Sequence, residues 1–205
     1  IIEEQWSPRQ ISGVLKKEGV SVSHQCIYNM IHSDASGELA RHTRHKLKYR
    51  RRPKYKRLPI ADRTSIHSRP EQADGKRFGD FEMDLIVDAH NHATLTIVER
   101  STNMLFMTKL AHGKKSEPLA KAVRRLLLPY KKHIKTITTD NGPEFAAHKL
   151  ITKYLGAVVY FADPYASWQK GAIENTNKLI RQYIPKQANF DDFTDKKIAS
   201  IQKKI

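Results

Sequence analysis

The 205-residue sequence contains little cysteine, no long apolar run and far fewer acidic than basic residues. Cys26 is the only cysteine, which excludes a disulfide framework and a zinc site built from paired cysteines, and makes a reducing cytosol the simplest compartment. No apolar run approaches the roughly 18 residues of a transmembrane helix, which excludes an intramembrane protein. Because the sequence begins at Ile1 and ends inside a helical pattern, we expect a cytoplasmic fragment of a longer chain.

The scarcity of acidic residues leaves a large positive charge, much of it in one stretch. The sequence has 37 Lys plus Arg against 21 Asp plus Glu, a formal net charge of +16. Residues 41–57 include ten basic residues and no acidic one, so we interpret 41–74 as a basic linker or arm. A nucleic acid is its best partner, because neutralising phosphates releases condensed counterions. Arg50, Arg51 and Arg52 are candidate contacts. A solvated tail and an anionic-membrane contact are the open alternatives.

Residues 1–40 show the pattern of two short helices. Ser7, Pro8 and Gln10 predict a capped helix start, and a second helix begins at Ser23. Two such helices joined by a Gly-containing turn are typical of a helix-turn-helix, whose second helix enters the DNA major groove. The residues that would then face the bases are His24, Gln25, Tyr28 and Asn29. An ordinary helical hairpin is the open alternative, and the adjacent basic stretch favours DNA.

Residues 75–190 show the pattern of an α/β domain. The predicted strands are 78–87, 94–99, 104–109, 134–138 and 157–161, and the predicted helices are 116–128, 143–154 and 173–183. A three-strand meander followed by alternating helix and strand predicts a mixed five-stranded sheet flanked by helices. The segment before it lacks periodicity and predicts an extended connector. Residues 191–205 predict the start of a further, truncated helical region.

Acidic residues in this domain fall where a chemical site could be built. In the first strand, Asp80, Glu82 and Asp84 share one face by strand alternation. Asp140 follows a predicted strand end, and α/β proteins build sites at the carboxyl ends of strands. Glu174 opens an amphipathic helix. The ordinary alternatives are a solvated sheet edge for the strand acids, a turn cap for Asp140 and a surface Glu–Lys pair for Glu174.

Acids from a strand, a strand end and a helix could converge on a divalent metal. Oxygen ligands suit Mg²⁺, and two such ions about 4 Å apart can activate an attacking oxygen and stabilise a leaving one. That chemistry cleaves or joins a phosphodiester. Lys178 and Arg181, one and two turns beyond Glu174, would then meet the DNA backbone, with Asn177 on the same helix face.

Several motifs resemble those of a known family. The stretches TDNGPEF (139–145) and DPYASWQKG (163–171), the second followed by IENTN (173–177), are similar to the second-acid and third-acid motifs of the retroviral-integrase-like DDE transposases. The separation of Asp140 and Glu174, 34 residues, suits that core. With WSP (6–8) and FEMDLI (81–86), the sequence resembles in particular the IS-thirty family of insertion-sequence transposases.

The resemblance implies an RNase H-like core in which Asp84, Asp140 and Glu174 bind two Mg²⁺ ions, with Mn²⁺ able to substitute. It selects Asp84 from the acids of the first strand, a choice that alternation alone leaves open. The sequence also departs from the family: Phe81 stands where Trp is common, and Lys178 where Gly is frequent.

The function that the resemblance implies is transposition. The helix-turn-helix and the arm would bind the terminal inverted repeats of an insertion sequence in double-stranded DNA, and the core would nick and transfer strands. At least a dimer would act, at the bacterial nucleoid. The expected active-site loop contains Asn141, Gly142, Tyr165 and Trp168. We expect the two aromatic residues to stack on splayed bases, with burial of Trp168 in the core as the alternative. The rival functions are a DNA-binding regulator or decayed element copy, and a nuclease that does not join strands.

Overall fold

The computed structural model describes residues 5–43 and 60–205. The chain separates into two compact units, residues 1–57 and 58–205. Residues 44–59 of the predicted basic arm, which include Arg50, Arg51 and Arg52, lie outside the described residues. None of the helices within the described ranges is long and apolar enough to cross a membrane.

The described part of the N-terminal unit is helical, with α1 (Pro8–Lys17), α2 (His24–Ser33) and the single-turn α3 (Glu38–Arg41). The predicted capping box is present: Ser7 accepts from the backbone N–H of Gln10, and the Gln10 side chain accepts from the backbone N–H of Ser7 at 2.9 Å. The second helix begins where predicted, and Ser23 caps it by accepting from the backbone N–H of Cys26. A small apolar core joins the helices and contains Ile11, Ile27 and Ile31.

The C-terminal unit is built on a six-stranded mixed sheet. Its strands are β1 (Thr64–Ser65), β2 (Asp80–Val87), β3 (Ala93–Glu99), β4 (Leu105–Leu110), β5 (Thr136–Thr139) and β6 (Val158–Phe161). They lie in the order β1-β6-β5-β2-β3-β4, with antiparallel pairing of β2 to β3 and β3 to β4 and parallel pairing elsewhere. The expected mixed sheet is therefore confirmed, with one strand more than the five predicted.

Helices cover both faces of the sheet, and the alternation of β2 decides which residues face which layer. The helices are α4 (Ser116–Leu127), α5 (His148–Leu155), α6 (Gly171–Tyr183) and α7 (Asp195–Gln202). Phe81 and Met83 lie in an apolar core with residues of α4 and α5. Ile86 points to the opposite face and lies in a second core with residues of α6 and α7. The acids at even positions of β2 share this second face.

Two elements differ from the sequence prediction. The predicted connector contributes β1, which pairs with β6: Thr64 lies opposite Tyr160, and Ser65 lies opposite Phe161. Two residues are too few to show strand periodicity, so this edge strand leaves no pattern in the sequence. The predicted helix over 143–154 is divided into a 3₁₀ turn, Pro143–Phe145, and the shorter α5. Such turns are frequent at helix starts, and an apolar pattern does not separate them from α-helix.

The edge of the sheet that β4 forms is covered by the C-terminal helix α7. The backbone N–H of Met107 in β4 donates to the side-chain oxygen of Gln202 at 2.7 Å, and Lys109 Nζ donates to the carbonyl of Phe193 at 2.9 Å. Residues 191–205, expected as the start of a further helical region, thus pack on β4.

Candidate active site

The three acids implied by the resemblance line one cleft. Asp84 comes from β2, Asp140 follows the last residue of β5, and Glu174 lies in the first turn of α6. β2 and β5 are parallel neighbours, so both aspartates stand toward the carboxyl ends of their strands. The open cleft between these elements has a volume of about 470 Å³ and is lined by all three acids.

Asp84 is held by a chain of polar contacts from two elements. Its Oδ1 accepts from the backbone N–H of Leu85 at 2.9 Å, and its Oδ2 accepts from Asn177 Nδ2 at 3.1 Å. Thr96 in β3 donates in turn to Asn177 Oδ1 at 3.0 Å. Burial raises the pKa of Asp84; the nearby charge of Lys170 opposes that rise and the charge of Asp140 adds to it. These contacts orient the carboxylate, but its hydrogen-bond donors are too few to offset the effect of burial on its charge.

Asp140 combines a turn-capping role with access to the cleft. Its Oδ1 accepts from the backbone N–H of Gly142 at 2.8 Å, so the turn-cap alternative correctly describes one of its contacts. Asn141 ties the turn to its surroundings by donating to the carbonyl of Ala162 and accepting from Arg63. The other oxygen, Oδ2, faces the charged end of Lys170.

Lys170 also lines the cleft, although the sequence motif that contains it predicts no role for it. Its Nζ lies 3.6 Å from Asp84 Oδ1 and 3.7 Å from Asp140 Oδ2, and its side chain is only 9% exposed. It ends the 3₁₀ turn Ser167–Lys170, directly before α6. Its position one helical turn before Glu174 is the signal that could have indicated a cleft-facing side chain.

Glu174 lines the same cleft but points its charge to a neighbour on its own helix. Its Oε1 lies 3.2 Å from Lys178 Nζ, and the two side chains are 42% and 68% exposed. The surface Glu–Lys pair, stated above as the ordinary alternative, is therefore present. Exposed pairs of this kind contribute little stability, so the carboxylate can leave Lys178 at small cost.

Buried charges below the cleft attach α6 to the strand that carries Asp84. Glu82 is 1% exposed; its Oε2 accepts from the backbone N–H of Ile173 at 2.9 Å, and its Oε1 lies 3.0 Å from Arg100 Nε. Burial raises the pKa of Glu82, and the Ile173 N–H and Arg100 offset part of that rise. Because Ile173 precedes Glu174, Glu82 fixes the start of the helix that presents the third acid.

The neighbouring acid of β2 is also buried. Asp80 is 0% exposed, accepts from Arg77 Nε at 2.8 Å and Nη2 at 3.1 Å, and accepts from Thr136 Oγ1 at 2.6 Å. The solvated-edge alternative is therefore wrong for Asp80 and Glu82. Both have their own partners inside the protein, whereas Asp84 opens to the cleft.

The donor set fits a divalent cation through its two aspartates. Both carboxylates already face one positive charge, the Lys170 ammonium, at nearly equal distance. Carboxylate oxygens are the ligands that Mg²⁺ prefers. Within residues 5–43 and 60–205, no group of three or more His, Cys, Asp or Glu side chains stands ready to hold a metal. A third protein ligand therefore requires Glu174 to turn away from Lys178.

Two aromatic side chains of the predicted active-site loop are exposed: Tyr165, which lines the cleft, and Trp168, which lies in the following turn. Tyr165 is 101% exposed and Trp168 is 75% exposed, so the alternative that Trp168 anchors the loop in the core is wrong. Tyr165 also has a φ of +64°, a left-handed conformation that is uncommon outside glycine and that clusters at functional sites.

The residues predicted to contact DNA from α6 have different surroundings. Asn177 is used in orienting Asp84, and Lys178 is exposed beside Glu174. Arg181 Nη2 donates to the carbonyl of Val87 at 3.2 Å, so its guanidinium faces the protein's own backbone. Burial lowers the pKa of Arg181.

The predicted base-reading residues of α2 lie on its outer side. His24, Gln25 and Asn29 are exposed, and Tyr28 is half-buried. Gln25 Nε2 donates to Asn29 Oδ1 at 3.1 Å, which aligns two amides one turn apart. Their contact with DNA stays a prediction.

The fold and the cleft define the structural class of this protein. It has a mixed α/β core in which carboxylates lie together near the carboxyl ends of neighbouring strands. In sequence the chain is similar to insertion-sequence transposases. It is 42% identical to the transposase of insertion sequence element IS4351 of Bacteroides fragilis, in a match that covers 100% of this chain and 65% of the relative. It is 33% identical to the transposase of IS1086 of Cupriavidus metallidurans, over 98% of this chain and 63% of the relative.

A similar match connects the chain to IS30 itself. It is 33% identical to the transposase InsI of IS30A of Escherichia coli, over 94% of this chain and 55% of the relative. The predicted resemblance to the IS-thirty family of transposases is therefore confirmed.

Two further comparisons were made, one with solved structures and one with protein-family models. Among solved structures, the catalytic core domain of BIV integrase matches with a TM-score of 0.41 and 20% identity, covering 50% of this chain and 66% of that one. No family model matches the chain. The chain spans less than two thirds of the length of each of the three transposases named above.

Proposed function

We propose that this chain carries the catalytic core of an insertion-sequence transposase. In this proposal it binds the terminal inverted repeats of its element, cleaves DNA with Mg²⁺ and transfers the freed strand to a target. The observation that supports it most directly is the pair Asp84 and Asp140. They come from neighbouring strands and face a single cation position in a cleft that Glu174 also lines.

The cleft residues have separable parts in this chemistry. Asp84 and Asp140 would hold Mg²⁺, and Glu174 would join them after leaving Lys178. Bound metal of this kind activates an attacking oxygen and stabilises a leaving oxygen at a phosphodiester. Asn177 orients the carboxylate of Asp84, and Glu82 fixes the start of α6. Positioning supplies a large share of such catalysis, because a reacting phosphate must meet preorganised groups.

DNA contacts in this proposal come from both units. The exposed polar side chains of α2 would read the element ends, and the basic residues of 41–57 would contact phosphates. Tyr165 and Trp168 would stack on bases near the cut, since stacking on exposed aromatic rings is a common means of holding unpaired bases. Because two ends must be brought together, we propose at least a dimer on DNA. Binding of this type weakens steeply with salt.

One assay distinguishes this function from its rivals. The full-length protein is incubated with labelled terminal DNA and a target, with Mg²⁺ or with EDTA. Asp140→Ala should abolish cleavage and strand joining while leaving DNA binding nearly intact, because it removes a proposed metal ligand and no expected base contact. Asp74→Ala is the matched control: its carboxylate pairs with Lys76 on the surface and does not line the cleft.

Each outcome of this assay has a stated meaning. Cleavage and joining that need both Mg²⁺ and Asp140 support the proposal. Binding without nicking in the wild type would indicate a regulator or a decayed copy, and nicking without joined product would indicate a nuclease. An Asp140→Ala variant that still cuts would overturn the assignment of the site.

A further inference from the structure

We propose that Lys170 is an internal cation that occupies the metal position between Asp84 and Asp140, and that its displacement sets the affinity of the cleft for divalent ions. The inference rests on the proposed function, because it presupposes that these aspartates bind metal. It assigns a metal-tuning role to a residue outside the three acids.

The contact geometry supports bridging rather than simple pairing. Lys170 Nζ is 3.6 Å from one carboxylate and 3.7 Å from the other, so the charge is shared. Among the residues that the structure describes, Asp84 and Asp140 have no second cationic partner within ion-pair distance. The ammonium therefore stands where an added cation would meet both sets of oxygens.

Partial burial of the cleft favours this arrangement when no metal is bound. Two like charges in a partly desolvated cleft repel each other, and a buried ammonium needs counter-charge. Lys170 relieves both demands, since burial and the charge of Asp140 raise the pKa of Asp84 and the charge of Lys170 opposes them. A divalent cation entering the same place would meet the repulsion of that ammonium until the lysine moved out.

The backbone around Lys170 is fixed, whereas its side chain is long and flexible. Gln169, the preceding residue, exchanges hydrogen bonds with Asp163: its Oε1 accepts from the Asp163 N–H at 2.7 Å and its Nε2 donates to Asp163 Oδ2 at 2.9 Å. His67 Nε2 lies 2.7 Å from the same carboxylate. The flexible four-carbon stem of lysine allows the charged end to leave without moving this loop.

Helix α6, which begins directly after Lys170, carries the complementary change. Glu174, one turn further on, points to Lys178 and adds no charge to the aspartate pair in this arrangement. On metal binding, Lys170 leaves the cleft and Glu174 turns into it. Exchanging a positive for a negative side chain converts a site balanced by its own lysine into one balanced by metal.

The test measures metal binding in the absence of DNA and activity. Mn²⁺ is titrated into the full-length protein, and free ion is followed by its electron paramagnetic resonance signal. Lys170→Met should bind Mn²⁺ at least about tenfold more tightly than the wild type, because a close like charge is removed. Lys170→Arg, which keeps the charge, should remain near the wild type. Lys196→Met, which removes an exposed lysine of α7, is the control for net charge.

Thermal unfolding of the same variants supplies a second readout. Lys170→Met should unfold at a lower temperature than the wild type in EDTA and should gain more from added Mn²⁺. A Lys170→Met variant that is unfolded in EDTA and folds on adding Mn²⁺ also supports the inference. One that stays unfolded with Mn²⁺ contradicts it, because Lys170 would then be required for folding alone.

The two proposals fail in different ways. If Asp140→Ala binds Mn²⁺ as well as the wild type does, the proposed metal site is wrong. If Asp140→Ala loses binding while Lys170→Met matches both the wild type and Lys196→Met, the site stands and the role of Lys170 is wrong.

Discussion

Two aspartates four residues apart, Asp84 in β2 and Asp88 just after it, have opposite surroundings. Asp88 accepts from the backbone N–H groups of His90 at 2.9 Å, His92 at 2.8 Å and Phe190 at 2.9 Å, and pairs with His92 Nδ1 at 2.9 Å. Burial would raise the pKa of Asp88, but these hydrogen bonds outweigh it and lower the pKa to about 2.

Asp84 has fewer donors and a raised pKa. The difference shows how the fold uses one residue type in two ways. At Asp88 the backbone of the turn and of the C-terminal segment completes the coordination of the carboxylate, so the residue joins distant parts of the chain. The Asp84 carboxylate has fewer hydrogen-bond donors and faces an open cleft. Its oxygens can therefore still accept a ligand such as a metal ion.

The largest expected effect comes from neutralising the open aspartate. Asp84→Asn should reduce metal-dependent cleavage by about a thousandfold or more, because bound metal supplies several kcal/mol of transition-state stabilisation. Thermal stability in EDTA should change little, because two effects oppose each other: the raised pKa of Asp84 indicates that burial of its charge is unfavourable, but the substitution also removes a counter-charge of Lys170. Cleavage rates with Mn²⁺ and a melting curve in EDTA measure the two effects. Full activity in this variant would contradict the comparison.

A smaller loss is expected when the support of Asp84 is removed. Asn177→Ala deletes the donor to Asp84 Oδ2 and should reduce cleavage or Mn²⁺ affinity by about 10- to 100-fold, the usual range for groups that orient metal ligands. Thr96→Val removes the hydroxyl that donates to Asn177 Oδ1 and to the backbone carbonyl of Asp84, but it keeps the Asn177 amide; it is the graded control and should lose less. Equal rates in Asn177→Ala and the wild type would mean that Asp84 keeps its direction without this amide.

The smallest effect on catalysis is expected at the saturated aspartate. Asp88→Asn should leave cleavage by the folded protein nearly unchanged but reduce the free energy of unfolding by about 2 kcal/mol, because an amide nitrogen replaces an acceptor that backbone N–H groups need. Urea unfolding at neutral pH measures the loss.

Acid sharpens this last experiment. The pKa of Asp88 is lowered from 3.8 to about 2, so its stabilisation is complete above the unfolded value and is lost as the pH falls toward about 2. The stability difference between wild type and Asp88→Asn should therefore shrink between about pH 4 and pH 2. A constant difference across that range would show that ionisation of Asp88 does not stabilise the fold.

Local pattern was sufficient for the main elements of the fold. Strand alternation placed Phe81 and Met83 opposite the acids, and the Ser7 and Ser23 caps began helices where predicted. A strand end before Asp140 is also a local signal. The two-residue β1 carries no such signal and depends on pairing with β6, a segment distant in the chain.

Contacts between distant residues decided what the sequence did not reveal about the site. Arg181 shares a helix face with Lys178, and only the position of Val87 shows that one guanidinium is directed to the protein while the ammonium is exposed. Lysine is a residue type usually found on the surface. Lys170 is buried because the turn before α6 brings its side chain against Asp84 and Asp140, which come from two different strands of the sheet. Charge and spacing alone do not contain that information.

The helix α7 protects more than a hydrophobic core. By accepting from Met107, Gln202 occupies a backbone donor of β4, an edge strand that would otherwise offer its unpaired groups to strands of other molecules. Sheet edges of this kind promote aggregation when bare. A shortened variant ending near residue 190 would expose this edge together with Leu105 and Met107, and low solubility rather than loss of chemistry would be its first defect.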